Sequence, residues 1–375
     1  MSRLAAIIPA AGLSSRMGAA FKPLLPLAGG TVVSRCVEVF RANGVEHVLV
    51  VTGKRASEVA EAARKAGAEP VHNADFEQGM YSSVLTGVQA LAGDVSAFFM
   101  LPVDMPLVRN ETVDRLLQEF QRTEPSVLYP RFRGERGHPP IIGRELIPDI
   151  LTHDGRGGLR VVLDRHEGGA RDLDVADFGT VHDIDHPADY GLACSLAGTE
   201  YPCEAECRQL WEMQSVQEHI IGHCRAVAKV AEALCEHLNA RRGVPLLDSG
   251  LVRGAALTHD IGKGTKRHEA AGAELLHLHG FHAAADIVAA HFDLTLRPEE
   301  PISEKEIVFL ADKLVRCHAP VSLEARYMEK LKMYAHETGA TEAILGRLGR
   351  ARDVLVRFDR EMNVPAEQLA REALA

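Results

Sequence analysis

Between Ile7 and Gly18 the chain reads IIPAAGLSSRMG. A short apolar run stops at Pro9. Ala10, Ala11, Gly12, Ser14, Ser15 and Arg16 follow, with Lys22 just beyond. Small residues let a backbone approach an anion closely. Backbone N–H groups after a strand, two hydroxyls and two cations are the donors a polyphosphate needs. The Walker spacing fails because Ala19 follows Gly18, and Gly12 lacks the paired glycine of a dinucleotide loop. Read alone, the stretch also suits an idle turn. Asp104 stands between prolines in PVDMP, after an apolar run. A carboxylate packs poorly there but suits a hard cation such as Mg²⁺. DIDHPADY adds Asp183 and Asp185 at another expected strand end, unless they form a solvated acidic turn before a helix near Pro187.

A second set lies in the other half. LTHDIGKG places His259 beside Asp260, His223 lies in HCRAVAKVAEAL and Asp312 in IVFLADKLVR. Adjacent residues on a helix do not share a face, so His259 and Asp260 bind one metal only at a helix end or bend. The glycines that follow provide one. Imidazole with carboxylate suits a divalent transition metal such as Fe, Mn, Ni or Zn. Such a metal would turn a bound water into a nucleophile for a phosphate ester. Lys263 is positioned to neutralise that phosphate, unless it is an ordinary loop lysine. His219, His277, His279 and His282 read as structural.

The elements that hold these residues fall into two patterns. Strand signals at 4–8, 47–53, 96–101 and 126–130 alternate with helical ones at 32–44, 56–67, 82–91 and 111–120. That alternation predicts a mostly parallel, doubly wound sheet, which binds ligands at the carboxyl ends of its strands. After about residue 200 only helical signals remain, at 215–239, 248–258, 268–279, 303–316 and 341–360. We therefore expect an α/β domain over 1–196, a turn-rich linker over 197–209 and an all-α domain over 210–375. A length of 375 residues fits two cores. The net charge of −10 disfavours a nucleic-acid partner. No apolar run approaches membrane-spanning length. The N-terminal run does not resemble a signal peptide. Seven cysteines follow no framework spacing, and Cys203 and Cys207 lack the second pair of a zinc pattern. These features predict a cytoplasmic protein with reduced thiols and no membrane partner.

Read in order, PAAGLSSRMG, FKPLL, EQGMYSS, PVDMP, RGHPP, DGRGGLR and DIDHPADY resemble the MobA-like nucleotidyltransferases over about residues 1–196. Within them, the chain is most similar to the molybdenum cofactor cytidylyltransferase branch. The resemblance implies a Rossmann-like α/β/α fold. It implies transfer of a nucleotidyl group from CTP, or another NTP, to a molybdopterin-type phosphorylated substrate, with release of pyrophosphate. Asp104 would hold Mg²⁺ with Asp183 or Asp185, and Arg16 and Lys22 would stabilise the triphosphate. Gly79, Ser82 and Ser83 would lie near base and ribose. Ala11 stands where the GTP-using branch has a glycine, which points to CTP. His138 would sit at the site's mouth, or be structural beside its prolines. The set His223, His259, Asp260 and Asp312 resembles the signature of HD-domain phosphohydrolases over about 210–320, an all-α family. His268 and His291 match further ligand positions of its two-metal members. Two other readings stand beside these. The first unit would act on a sugar phosphate or another phosphorylated small molecule. Alternatively, the second would bind a nucleotide or cofactor without turnover, or carry the cofactor to a client molybdenum hydroxylase.

Overall fold

The computed structural model describes residues 3–12, 17, 20–243 and 246–375, which divide into two compact units, Met1–Thr199 and Glu200–Ala375. The first unit runs β1 (Arg3–Pro9), β2 (Pro26–Leu27), β3 (Gly30–Thr31), α1 (Val32–Ala42), β4 (His47–Thr52), α2 (Ala56–Lys65), β5 (Glu69–His72), α3 (Met80–Gln89) and β6 (Val95–Met100). It continues with α4 (Asn110–Thr123), β7 (Val127–Phe132), β8 (Glu135–Arg136), β9 (Ile141–Gly143), α5 (Ile147–Thr152), α6 (Gly158–Asp164), β10 (Ala170–Asp174) and α7 (Pro187–Leu196).

Among the described residues the main sheet has eight strands, ordered β10-β7-β9-β6-β1-β4-β5, with β8 on β7. β1 pairs in parallel with β4 and β6, and β4 with β5. β9 is antiparallel to both its neighbours. The sheet is therefore mixed but mostly parallel, as expected. Alternation of side chains along β1 divides the core. Ile8 faces one cluster with Val50, Phe99 and α1; Ile7 faces another with Leu49, Phe98 and α3. The chain leaves β1 toward β4 and returns to its other side at β6, so the loops after β1 and β6 flank a switch point, where such sheets form a crevice.

Sequence patterning missed β5, β9 and β10, the last a charged run, ARDLD, without an apolar stripe. β5 is four residues with a proline, and β9 only three, too short for a period to show. The expected strand before DIDHPADY is absent: that stretch follows a 3-10 turn at Phe178–Thr180.

The second unit consists of α8 (Glu204–Met213), α9 (Glu218–Arg242), α10 (Ser249–Thr258), α11 (His268–Leu278), α12 (His282–Ala290), α13 (Glu304–Leu314), the short pair β11 (Val315–Arg316) and β12 (Ala319–Pro320), α14 (Leu323–Met333), α15 (Ala340–Met362) and α16 (Ala366–Ala373). Residues 204–209, read as linker, are instead the first turns of α8. The Glu206 carboxylate accepts from the Cys203 amide to start that helix, and Trp211 buries its ring and donates to Leu257 O at 3.1 Å. The long helix starts at Glu218, not Ser215, which takes a left-handed turn with φ 49°.

Candidate nucleotide and metal sites

In the first unit, the loops after β1 and β6 converge. The Ile184 amide donates to Asp104 O at 2.8 Å, which ties DIDHPADY to PVDMP. Lys22, buried, donates its Nζ to Asp185 Oδ1 at 2.7 Å and stands 3.7 Å from Asp104 Oδ2. Asp183 is exposed but close enough to raise the Asp104 pKa. Burial lifts the Asp104 carboxyl above its ordinary value; Lys22 opposes the rise, while Asp183 and Asp185 add to it. Among the described residues, three carboxylates stand against one ammonium, a negative excess. A hard divalent cation would balance it.

Ala10 and Ala11 are buried and Gly12 is exposed. The Ala10 amide donates to Val51 O at 2.8 Å and so extends the sheet ladder instead of pointing at an anion. Ser14, Ser15 and Arg16 lie outside the described residues. Gly53 keeps the β1 and β4 loops together: a Cβ there would meet the Ala11 Cβ at 2.7 Å. Gly79 precedes α3 with φ 101°. Ser83 is buried and, with Ser82, accepts from Asn73 Nδ2 at 3.1 and 2.8 Å. Asn73 itself escaped the sequence analysis; it follows the strand that patterning missed. His138 is half-buried, its Nδ1 at 3.2 Å from Met100 O, and burial lowers its pKa.

In the second unit, each expected ligand sits at a helix end or inside the bundle. His259 caps α10 and Asp260 follows in the turn, which puts both side chains in one place. Gly262 holds that turn against α11: a Cβ would lie 2.2 Å from His268 O. His291 caps α12, and Asp312 is buried in the last turn of α13, whose start is fixed by a Ser303–Glu306 capping box. The four imidazoles form a chain, with centroids 5.2 Å apart for His223–His259 and 5.1 Å for both His259–His291 and His268–His291.

Two ligand sets share Asp260. His223, His259 and Asp260 form one; Asp260, His268 and His291 form the other; in each the ligand atoms lie within 4.8 Å of one another. The Nδ1 atoms of His223, His259 and His291 face the Cys317, Ala256 and Val288 carbonyls at 2.9, 2.8 and 2.6 Å. A carbonyl only accepts, so these rings carry protons on Nδ1 and turn Nε2 inward, the tautomer a metal requires. His259 Nε2 is buried without a hydrogen-bond partner among the described residues, 3.7 Å from Asp260 Oδ2 and 3.8 Å from Asp312 Oδ1. Burial lowers the His259 pKa to about 4, so the ring is neutral. Burial alone would raise Asp260, yet its carboxyl lies below the usual range, with the Lys263 ammonium among the groups that lower it. Inward lone pairs beside two ionised carboxylates fit a divalent ion.

Among the described residues, three cations pair with the carboxylates of the cluster. Lys263 Nζ donates to Asp260 Oδ2 at 2.7 Å. Lys313 Nζ and Arg326 Nη2 reach Asp312 at 2.7 and 3.2 Å. Lys313 and Arg326 were not read from the sequence. A buried lysine directly after Asp312, amid apolar residues, was the available signal.

Residues 6–170 match the MobA-like NTP transferase domain, and residues 220–317 match the HD domain. The nicotine blue oxidoreductase of Paenarthrobacter nicotinovorans is 32% identical over 186 residues, 48% of this chain and 90% of its own. The chain belongs to the MobA-like NTP transferase family. It is a nucleotidyltransferase of that family with an HD domain after it. A second MobA-like relative, the molybdenum cofactor cytidylyltransferase of Escherichia coli K12, is 28% identical over 194 residues, 51% of this chain and 95% of its own. A nucleotidyl transferase structure from Methanothermobacter superposes with a TM-score of 0.45 at 27% identity, over 51% of this chain and 96% of that one. No described helix is long and apolar enough to cross a membrane.

Proposed function

We propose that the first unit transfers the cytidylyl group of CTP to the terminal phosphate of a molybdopterin-type substrate, and that the second is a metal-dependent phosphohydrolase. The two functional segments correspond to the compact units Met1–Thr199 and Glu200–Ala375. The observation that carries the first half is the buried Lys22 between Asp104 and Asp185 at the sheet's switch point. The name of the Escherichia coli relative and the alanine at position 11 support CTP and the pterin.

The acceptor phosphate attacks the α-phosphorus, and pyrophosphate leaves in line. No strong base is needed, since the nucleophile is already an anion. Asp104, Asp183 and Asp185 would hold Mg²⁺, which when bound neutralises triphosphate charge. Lys22, released from Asp185, turns to the phosphate oxygens, as does Arg16. Ala11 and Gly12, with Ser14 and Ser15, would line the phosphates, and Gly79, Ser82 and Ser83 the nucleoside; the Ala10 amide, held in the sheet, would only shape the loop's start.

In the second unit His223, His259, Asp260, His268, His291 and Asp312 would hold one or two divalent ions, which when bound lower the pKa of water. Lys263 neutralises the phosphate under attack. An oxidoreductase reading of the first unit draws on the nicotine blue relative. Among the described residues, three carboxylates around Lys22 favour nucleotidyl transfer. Pyrophosphate release from CTP in the presence of molybdopterin tests the first half. Metal analysis with a phosphatase screen tests the second.

A further inference from the structure

A small cavity of about 90 Å³ opens beside the histidine cluster. Asp260, Asp312 and the histidines form one wall. The other includes Tyr327, Lys330 and Arg347, from α14 and α15. Those helices lie beyond residue 317, where the HD match ends. Lys263, Lys313 and Arg326 already have carboxylate partners. Lys330 and Arg347 have none among the described residues: Lys330 Nζ lies over the Tyr327 ring at 5.6 Å and Arg347 over Phe292 at 4.7 Å. Burial, and after it the neighbouring Arg326 and Lys313, push the Lys330 ammonium down to about 8. Tyr327 is 1% exposed, and its hydroxyl has no hydrogen-bond partner among the described residues. A buried orphan donor beside two uncompensated cations calls for an anion separate from the one at the metal ligands.

We propose that Lys330, Arg347 and the Tyr327 hydroxyl hold the leaving phosphate of a phosphoanhydride, so that the second unit cleaves linked phosphates in preference to a phosphomonoester. This rests on the hydrolase reading above. Water adds its oxygen to the phosphorus beside Asp260. The bond from that phosphorus to the bridging oxygen breaks, and the bridging oxygen departs with the electron pair on the second phosphate. Lys330 and Arg347 neutralise the charge that develops there. One proton of the water stays on the new phosphate; the other passes to the leaving phosphate or to solvent. Two sources supply this chemistry: a nucleotide's polyphosphate chain, or the pyrophosphate that nucleotidyl transfer releases. Cleaving the latter would pull the transfer forward.

The test uses the full chain loaded with Mn²⁺. Its substrates are pyrophosphate, CTP and p-nitrophenyl phosphate, and methylenediphosphonate and inorganic phosphate are titrated calorimetrically alongside. Lys330→Gln and Arg347→Gln are each expected to lower kcat/KM for pyrophosphate or CTP about 10-fold or more. The loss on p-nitrophenyl phosphate should be much smaller, and metal content unchanged. Tyr327→Phe should weaken diphosphonate binding in the same direction. Pyrophosphate turned over faster than CTP identifies the transfer product as the source; the reverse identifies a nucleotide. Equal losses on all substrates, or diphosphonate bound no tighter than phosphate, would overturn the subsite and leave the hydrolase reading standing. If no substrate is cleaved at full metal content, the hydrolase reading fails, and the diphosphonate titration alone decides the subsite.

Discussion

Replacing Lys22 with methionine should expose the charge imbalance of the first site. The ammonium lies 2.7 Å from Asp185 and 3.7 Å from Asp104. At an effective dielectric constant of about 20, unit charges about 4 Å apart interact by about 4 kcal/mol. The two carboxylates are 29% and 24% exposed, so screening reduces the net loss to about 2 kcal/mol. Lys22→Met leaves Asp104, Asp183 and Asp185 repelling one another. Amide exchange of β1 and β6, followed by mass spectrometry, should then accelerate about 30-fold. Added Mg²⁺ should restore most of the protection, because it replaces the lost positive charge. Asp185→Asn in the same background should restore part of it without Mg²⁺. Unchanged exchange in the single variant would refute the charge argument. A loss that Mg²⁺ does not relieve would show that the three carboxylates do not hold this cation.

Asp104→Ala should abolish pyrophosphate release yet leave the first unit at least as stable by thermal denaturation, since burial already disfavours that carboxylate. His259→Ala with Asp260→Ala should strip metal from the second unit, read by elemental analysis, and leave nucleotidyl transfer within about twofold. Gly262→Ala should weaken metal affinity about 10-fold or more in a chelator competition, because the new methyl would push His268 away from Asp260.

Much of this architecture was legible because long periodic segments announce themselves. The β1, β4 and β6 strands and the α9, α10 and α13 helices follow from runs that only one period fits. The ligand set of the second unit was legible for a different reason: adjacent His259 and Asp260 meet a single ion only at a helix end, and α10 ends there. What escaped had no local signal. β9 joins the sheet through two neighbours distant in sequence. Asn73 is defined by the serines it reaches across the β5–α3 connection. Arg326 and Lys330, four apart on α14, carry like charges that an isolated helix disfavours. Only the fold brings Asp312 near them. The acidic stretch 183–190 was placed after a strand, whereas the Asp104–Ile184 backbone contact positions it.

The central claim is nucleotidyl transfer from CTP to a pterin phosphate, and pyrophosphate release tests it most directly. The full chain would be given CTP, GTP or ATP with Mg²⁺, with and without molybdopterin, and pyrophosphate and phosphate would both be counted, since the second unit is proposed to cleave the product. Release that needs molybdopterin, prefers CTP and disappears in Asp104→Ala is the predicted result. Release that ignores molybdopterin, prefers GTP, or survives in Asp104→Ala would contradict the account.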